Sequence, residues 1–307
     1  MGITLNELAD EVVINLAGYT LQQDRATHLR ADLAATLSTV DAPLSMSLGS
    51  SESVGKGTVE INDELLWIDA IDRIGNTATI APYGRGYLGT TMAAHTKGDK
   101  VTISPTFPRF VIKRAIQDTI KALGSVIYAV KQTSFTFNPA ITTYELDNLN
   151  VQNILSMHWQ EIGSSKEWIR IRRYDFDSNP DITTWGSTAQ TVTIGDLVAP
   201  GRTVKVTYAT SPTELSTSLT TSYSAQTGLP ESTRDVVILG ACYRLLAYLD
   251  PARAAQTSPQ ADETDNKRPF GSSQNATKQL YALYSQRLAE EKSAQQKQYP
   301  PRVHFSR

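Results

Sequence analysis

The chain has 307 residues, 40% of them hydrophobic and 20% charged, which suits a soluble globular protein of roughly two modules and excludes a wholly disordered or collagen-like chain. With 29 Lys and Arg against 31 Asp and Glu, the formal net charge is −2; this argues against a dedicated nucleic-acid binder, whose footprint is a basic face. Apolar runs such as Val236 to Gly240 fall far short of the roughly 18 residues of a spanning helix, so no membrane partner is expected, and Met1 to Glu7 lacks the basic start and apolar core of a signal peptide.

The first element, Thr4 to about Gly18, opens with the capping box Thr4-x-x-Glu7 and carries Leu5, Leu8, Val12 and Leu16 at helical spacing. From Thr27 to Ser104 the pattern turns to strands: Gly57 to Ile61, Glu64 to Ile71, Thr77 to Ile80 and Lys100 to Ile103. They are punctuated by Asn62-Asp63, Gly75-Asn76 and Gly98-Asp99, as hairpins require. Within Ala26 to Leu37 the spacing of Leu29, Leu33 and Leu37 also fits a helix. After Pro105 and Pro108 a second helical stripe follows, Ile112, Ala115, Ile116, Ile120 and Leu123, ending at Gly124.

A second β-rich stretch runs from Thr133 to Thr210. Trp168, Arg170, Arg172 and Tyr174 alternate with Ile169 and Ile171, and Val204, Val206 and Tyr208 alternate with Thr203, Lys205 and Thr207, so each strand has one buried and one wetter face. Asp175 to Thr188 reads as a loop or an edge. Helices return with the stripe Val236, Leu239, Gly240, Tyr243, Leu246 and Ala247, stopped near Asp250-Pro251, and with a last helix from about Asn275 to Lys297. The polar connection Pro251 to Ser273 is longer than a packed helical hairpin needs, and prolines stop the last helix before the tail Tyr299 to Arg307. The predicted fold is α+β. Residues 1–26 with 105–130 and residues 228–298 form a helical core of four helices; two antiparallel β modules, 27–104 and a sandwich-like 131–212, are inserted into it, and 299–307 is an extended arm.

No motif for chemistry passes inspection. Gly84-Arg85-Gly86-Tyr87-Leu88-Gly89 satisfies G-x-G-x-x-G, but a helix after Gly89 would be cut at Lys97-Gly98-Asp99 and Pro82 sits in the would-be strand end, so the strand-glycine-helix unit of a dinucleotide site fails. Gly49 to Gly57 mimics a phosphate loop, yet its first glycine is one position early and Gly57 replaces the hydroxyl residue that would hold magnesium. His28, His95, His158 and His304 are scattered without a second ligand at i+3 or i+4. Cys242, the only cysteine, lies in the middle of a helical stripe and reads as a buried, inert thiol. Arg170, Arg172 and Arg173 with Trp168 and Tyr174 could stack single-stranded nucleic acid, but a strand with salt-bridged arginines on its wet face fits the acidic net charge better. No catalytic residue, cofactor site or metal site is therefore expected.

The segments Glu64 to Ile68, Gly75 to Ile80 and Tyr83 to Val101 resemble a module recurrent in structural proteins of tailed bacteriophages, in which E-x-x-x-V is followed by Arg-Gly-x-x-Gly-Thr (here Arg85 to Thr90) and Ala-x-His-x-x-Gly (here Ala93 to Gly98). The resemblance is strong over residues 57–103 and looser elsewhere, and points to the neck family, the head-to-tail connectors and adaptors. It implies a non-enzymatic virion protein, assembled in the host bacterial cytoplasm. It would form a homo-oligomeric ring, twelvefold by family analogy, beneath the portal protein and above a tail, nozzle or stopper protein. Fibres could be further partners, and DNA would be met only in passage through the channel. A tail or fibre-attachment protein is the alternative. Arg85, Gly86, Gly89, Thr90 and His95 would be structural, with Arg85 and His95 bonding turn carbonyls; the arm residues Tyr299, Arg302, Val303, His304, Phe305 and Arg307 would dock on the portal.

Overall fold

The computed structural model describes residues 3–17, 24–146, 149–161, 167–186, 189–216, 222–247 and 272–300. They form thirteen strands in three antiparallel sheets and six α-helices. This overturns the expected four-helix core with two β insertions: strands in three sheets dominate the described elements, and the buried apolar side chains come from strands and helices alike. The two buried clusters are made largely of strand residues, whereas the last helix, α6 (Ser272–Gln298), buries only Leu280 and Tyr284 among its described side chains.

The chain divides into two compact units. The first comprises Leu8–Ile116 and Ala241–Leu280, and the second Met1–Glu7, Gln117–Gly240 and Tyr281–Arg307. In the first, strands β1 (Arg25–His28), β2 (Leu44–Ser47), β3 (Gly57–Ile61), β4 (Glu64–Asp72), β5 (Thr77–Ile80) and β6 (Lys100–Ile103) make one sheet in the order β1-β6-β3-β4-β5-β2. Its core gathers Leu29, Leu33, Met46, Leu48, Val59, Ile61, Leu66, Ile68 and Ile80. The Leu29-Leu33-Leu37 spacing does not become a helix, because its backbone groups are bonded to distant partners: Leu29 N–H donates to the Asp99 carbonyl at 2.9 Å, and Leu33 and His95 exchange backbone bonds of 2.8 and 2.9 Å.

Helices meet this sheet through charge. The N–H of Arg109, the first residue of α2 (Arg109–Leu123), donates to the buried carboxyl of Glu60 on β3 at 2.6 Å, placing an acid at a helix N-terminus where the peptide dipoles favour it. The Arg109 guanidinium reaches Asp63 at 3.3 Å and also Asp10 on α1 (Leu5–Ala17), and Lys113 reaches Asp63 at 2.7 Å. Cys242, on α5 (Arg234–Ala247), is buried; burial pushes its thiol up to about 12, which removes the thiolate needed for reactivity.

In the second unit the α1 entry shows the reciprocal capping box: Thr4 N–H donates to Glu7 Oε2 at 2.7 Å and Glu7 N–H donates to Thr4 Oγ1 at 3.3 Å. Strands β7 (Ala129–Thr136), β9 (Val151–Gln160), β10 (Trp168–Ile171) and β13 (Thr203–Thr210) form a sheet ordered β10-β9-β13-β7, and β8 (Thr143–Glu145), β11 (Tyr174–Asp177) and β12 (Thr191–Ile194) a sheet ordered β11-β12-β8. Residues of both sheets share one core, including Met157, Ile171, Val192, Ile194, Val204 and Val206. The alternation from Trp168 to Tyr174 is thus two strands of different sheets. The chain breaks at Arg172-Arg173, whose amides donate to the Asp196 carboxylate at 2.5 and 3.1 Å. Two short helices complete the described set, α3 (Ile182–Trp185) and α4 (Tyr223–Thr227).

Candidate functional site

The motif residues converge on one buried carboxylate. Glu64 opens β4 immediately after the Asn62-Asp63 turn, in which Asn62 takes the left-handed φ of 54°. Arg85 grips it side-on, Nε to Oε1 at 2.7 Å and Nη2 to Oε2 at 2.9 Å, with both side chains essentially inaccessible to solvent. The amides of Gly86 and Ala93 each donate to Glu64 at 3.0 Å, and His95 Nε2 lies 2.8 Å from Oε2. The other guanidinium hydrogens go to the carbonyls of Ala34 at 2.7 Å, Thr36 at 3.3 Å and Ala93. All five N–H donors of the arginine thus have acceptors, which a buried ion pair requires if its desolvation is to be offset.

The loop between Arg85 and His95 is shaped to permit this. Gly86 sits at φ 62°, where an added Cβ would lie 2.7 Å from the Thr90 carbonyl, so only glycine fits. Gly89 has φ 81°, and Leu88, between them, is held at φ 56°. Thr90 Oγ1 accepts the Leu65 N–H and donates to the Tyr87 carbonyl, each at 3.0 Å. Asn62 Nδ2 lies 3.5 Å from His95 Nδ1 and donates to Asp99 at 3.1 Å. Since the ionised Glu64 can only accept, His95 donates to it from Nε2.

Burial is the largest influence on Glu64 and would raise its pKa. The hydrogen bonds from Arg85, His95, Ala93 and Gly86 together outweigh it and hold the carboxyl down at about 2. The cluster is an ionised, fully hydrogen-bonded rivet that closes the 85–95 loop and the 33–36 segment onto the hairpin. Above it the loop presents Tyr83, Leu88 and Met92, which are 69%, 65% and 37% exposed, and Trp67 beside Tyr87 with ring centroids 5.1 Å apart.

The structure brings Arg85, Gly86 and His95 together on Glu64, while Gly89 and Thr90 shape the loop that joins them, Gly89 N–H donating to the Gly86 carbonyl and Thr90 bonding Leu65 and Tyr87. The signal for Glu64 was its place at the head of Glu64-Leu65-Leu66-Trp67-Ile68, which stands at E-x-x-x-V of the resembling module with Ile68 in place of Val; nothing in the spacing said that it would face Arg85. Of the arm residues, Tyr299 is described and its N–H donates to the Gln295 carbonyl at 2.9 Å, continuing the α6 pattern. Arg302, Val303, His304, Phe305 and Arg307 lie outside the described residues. Among the described residues no group of three or more His, Cys, Asp or Glu side chains is arranged to hold a metal ion, and no helix is long and apolar enough to cross a membrane. The chain matches no protein-family model, and no curated protein is similar to it in sequence; the likeness to phage neck proteins rests on the motif residues.

Proposed function

We propose that the chain is a non-enzymatic structural protein of a tailed-phage virion, a head-to-tail adaptor that assembles as a ring under the portal and links the capsid to the tail around the DNA channel. The observation that carries this reading is the Glu64–Arg85–His95 rivet. The polar atoms on which the resemblance rests are occupied with one another, fixing a loop rather than presenting a reactive group. On and beside this loop the apolar side chains Tyr83, Leu88 and Met92 stand exposed, available for contact with another virion protein. The alternative, a tail or fibre-attachment protein, is favoured by the β-rich architecture of thirteen strands in three antiparallel sheets.

Native mass spectrometry of the purified chain, alone and mixed with the portal protein of the same genome, separates the two. The adaptor reading expects a monomer or loose oligomer that becomes a ring on the portal. A stable trimer or hexamer indifferent to portal would overturn it and place the protein further down the tail.

A further inference from the structure

The outer face of the β10-β9-β13-β7 sheet carries a second feature, independent of the rivet and of the virion reading. Its register sets Arg170 opposite His158, His158 opposite Lys205, and Lys205 opposite Ser134, one continuous row across four strands. The alternate residues Ile171, Met157 and Val206 point into the core, so the row faces outward. Like charges on neighbouring strands destabilise a sheet, and here two cations flank one imidazole. Among the described residues neither Arg170 nor Lys205 is paired with a carboxylate. Two cations on one sheet face without a carboxylate between them suit an incoming anion.

Beside the row lies a cleft of about 360 Å³ lined by Trp168, Lys205, Gln132, Gln160, Ser134 and Thr203. Lys205 Nζ is held 4.3 Å from the centroid of the Trp168 ring, a cation–π contact that positions the ammonium without neutralising it. Trp168 remains 40% exposed. Amides and hydroxyls, which both donate and accept, outnumber the cations in the lining. That composition matches a ring bearing several hydroxyls and one negative group better than a phosphodiester chain, whose sites are lined mainly by Lys, Arg and backbone amides. The chain's net charge of −2 further disfavours a long polyanion.

We infer that this cleft binds a sugar acid, a carboxylate-bearing glycan unit whose ring lies against Trp168, whose carboxylate meets Lys205, and whose hydroxyls bond Gln132, Gln160 and Ser134, with Arg170 outside the cleft adding positive charge from the neighbouring row. The test is titration of the full chain with a tetrasaccharide of galacturonic acid, the matching neutral galactose tetrasaccharide and a single-stranded oligothymidylate. Calorimetry and the NMR signals of the Trp168 indole N–H and of the Gln132 and Gln160 amides are followed. The acidic sugar should bind at least about tenfold more tightly than the neutral one, about 1.4 kcal/mol, and move those signals. Trp168→Ala and Lys205→Ala should each weaken it at least tenfold with an unchanged unfolding midpoint, while Lys56→Ala in the other unit should not. No binding at millimolar sugar, equal binding of the neutral sugar, indifference to both substitutions, or tighter binding of the oligothymidylate would each overturn the inference, the last in favour of nucleic acid.

Discussion

Glu60 and Glu64 lie four residues apart on one hairpin, both buried, and are driven in opposite directions. Burial dominates at Glu60 and lifts its carboxyl to about 7, against the Arg109 amide it accepts and the Arg109 charge. At Glu64 the donors win and the carboxyl falls to about 2. The signs follow by linkage. Glu64, depressed from its usual 4.5, stabilises the fold at pH above 4.5 and loses that contribution as pH falls toward 2. Glu60, raised, contributes most below pH 4.5, and its contribution is lost as pH rises through about 7. In urea unfolding across this range, wild type minus Glu60→Gln stability should therefore decline between pH 4.5 and 7; a flat difference would show that Glu60 titrates normally. Glu64→Gln keeps the shape but leaves the Arg85 charge buried and unpaired. At neutral pH it should cost about 3–5 kcal/mol, the penalty of breaking a buried pair, and a cost below about 1 kcal/mol would mean that solvent already reaches Arg85.

At the scale of elements, the close approach of α2, α5 and α6 in the second unit turns on Gly240. A Cβ there would lie 2.4 Å from Thr119 Cγ2 and 3.1 Å from Tyr284 Cε2, and Thr119, β-branched and fully buried, has little room to yield. Gly240→Ala, although it raises helix propensity, should lower the unfolding free energy by about 1–3 kcal/mol through overpacking; a stabilised variant in denaturant melts would show that the helices can separate there. The strands β3 to β6 and the α1 capping box were legible in the sequence because their signals are local: turn residues, period-two alternation, a Thr and a Glu three apart. Of the α5 stripe, Val236, Gly240 and Leu246 are buried, Leu239 and Tyr243 only partly so and Ala247 exposed, while Val237, Ala241, Cys242 and Leu245 are buried as well, so the buried arc is wider than one stripe. Strands β1 and β2 escaped notice because, although no shorter than β5 and β6, they lack the Gly-Asn or Gly-Asp turn that precedes those strands and owe their pairing to distant partners, Lys100 to Ile103 and Thr77 to Ile80. The rivet was half legible. Glycines and Arg85 stood out by spacing, but the acid they enclose is 21 residues upstream of the arginine, and no periodicity links them.

For the whole molecule, the adaptor reading assigns partner contact to the chain's end, and the structure narrows where that contact can be cut without harm. The end of α6 is fastened within the second unit by Gln295, whose Nε2 donates to the Tyr128 carbonyl at 2.7 Å and whose Oε1 accepts the Tyr128 N–H at 3.3 Å. Tyr299 closes onto the Gln295 carbonyl. Tyr299, first assigned to the arm, therefore belongs with the helix end, and a truncation after Pro300 removes Arg302, Val303, His304, Phe305 and Arg307 while sparing these bonds. The removed residues include two arginines and a histidine and no acid, so on the adaptor reading the surface they meet would be acidic, and the association should weaken as salt rises. The truncated chain should melt at the same temperature as the intact one and fail to co-purify with the portal. Undiminished co-purification would refute the arm assignment while leaving the ring to be judged by its mass. Loss of binding with an unchanged melt would place the contact in the last seven residues, since the bonds of Gln295 and Tyr299 survive the cut.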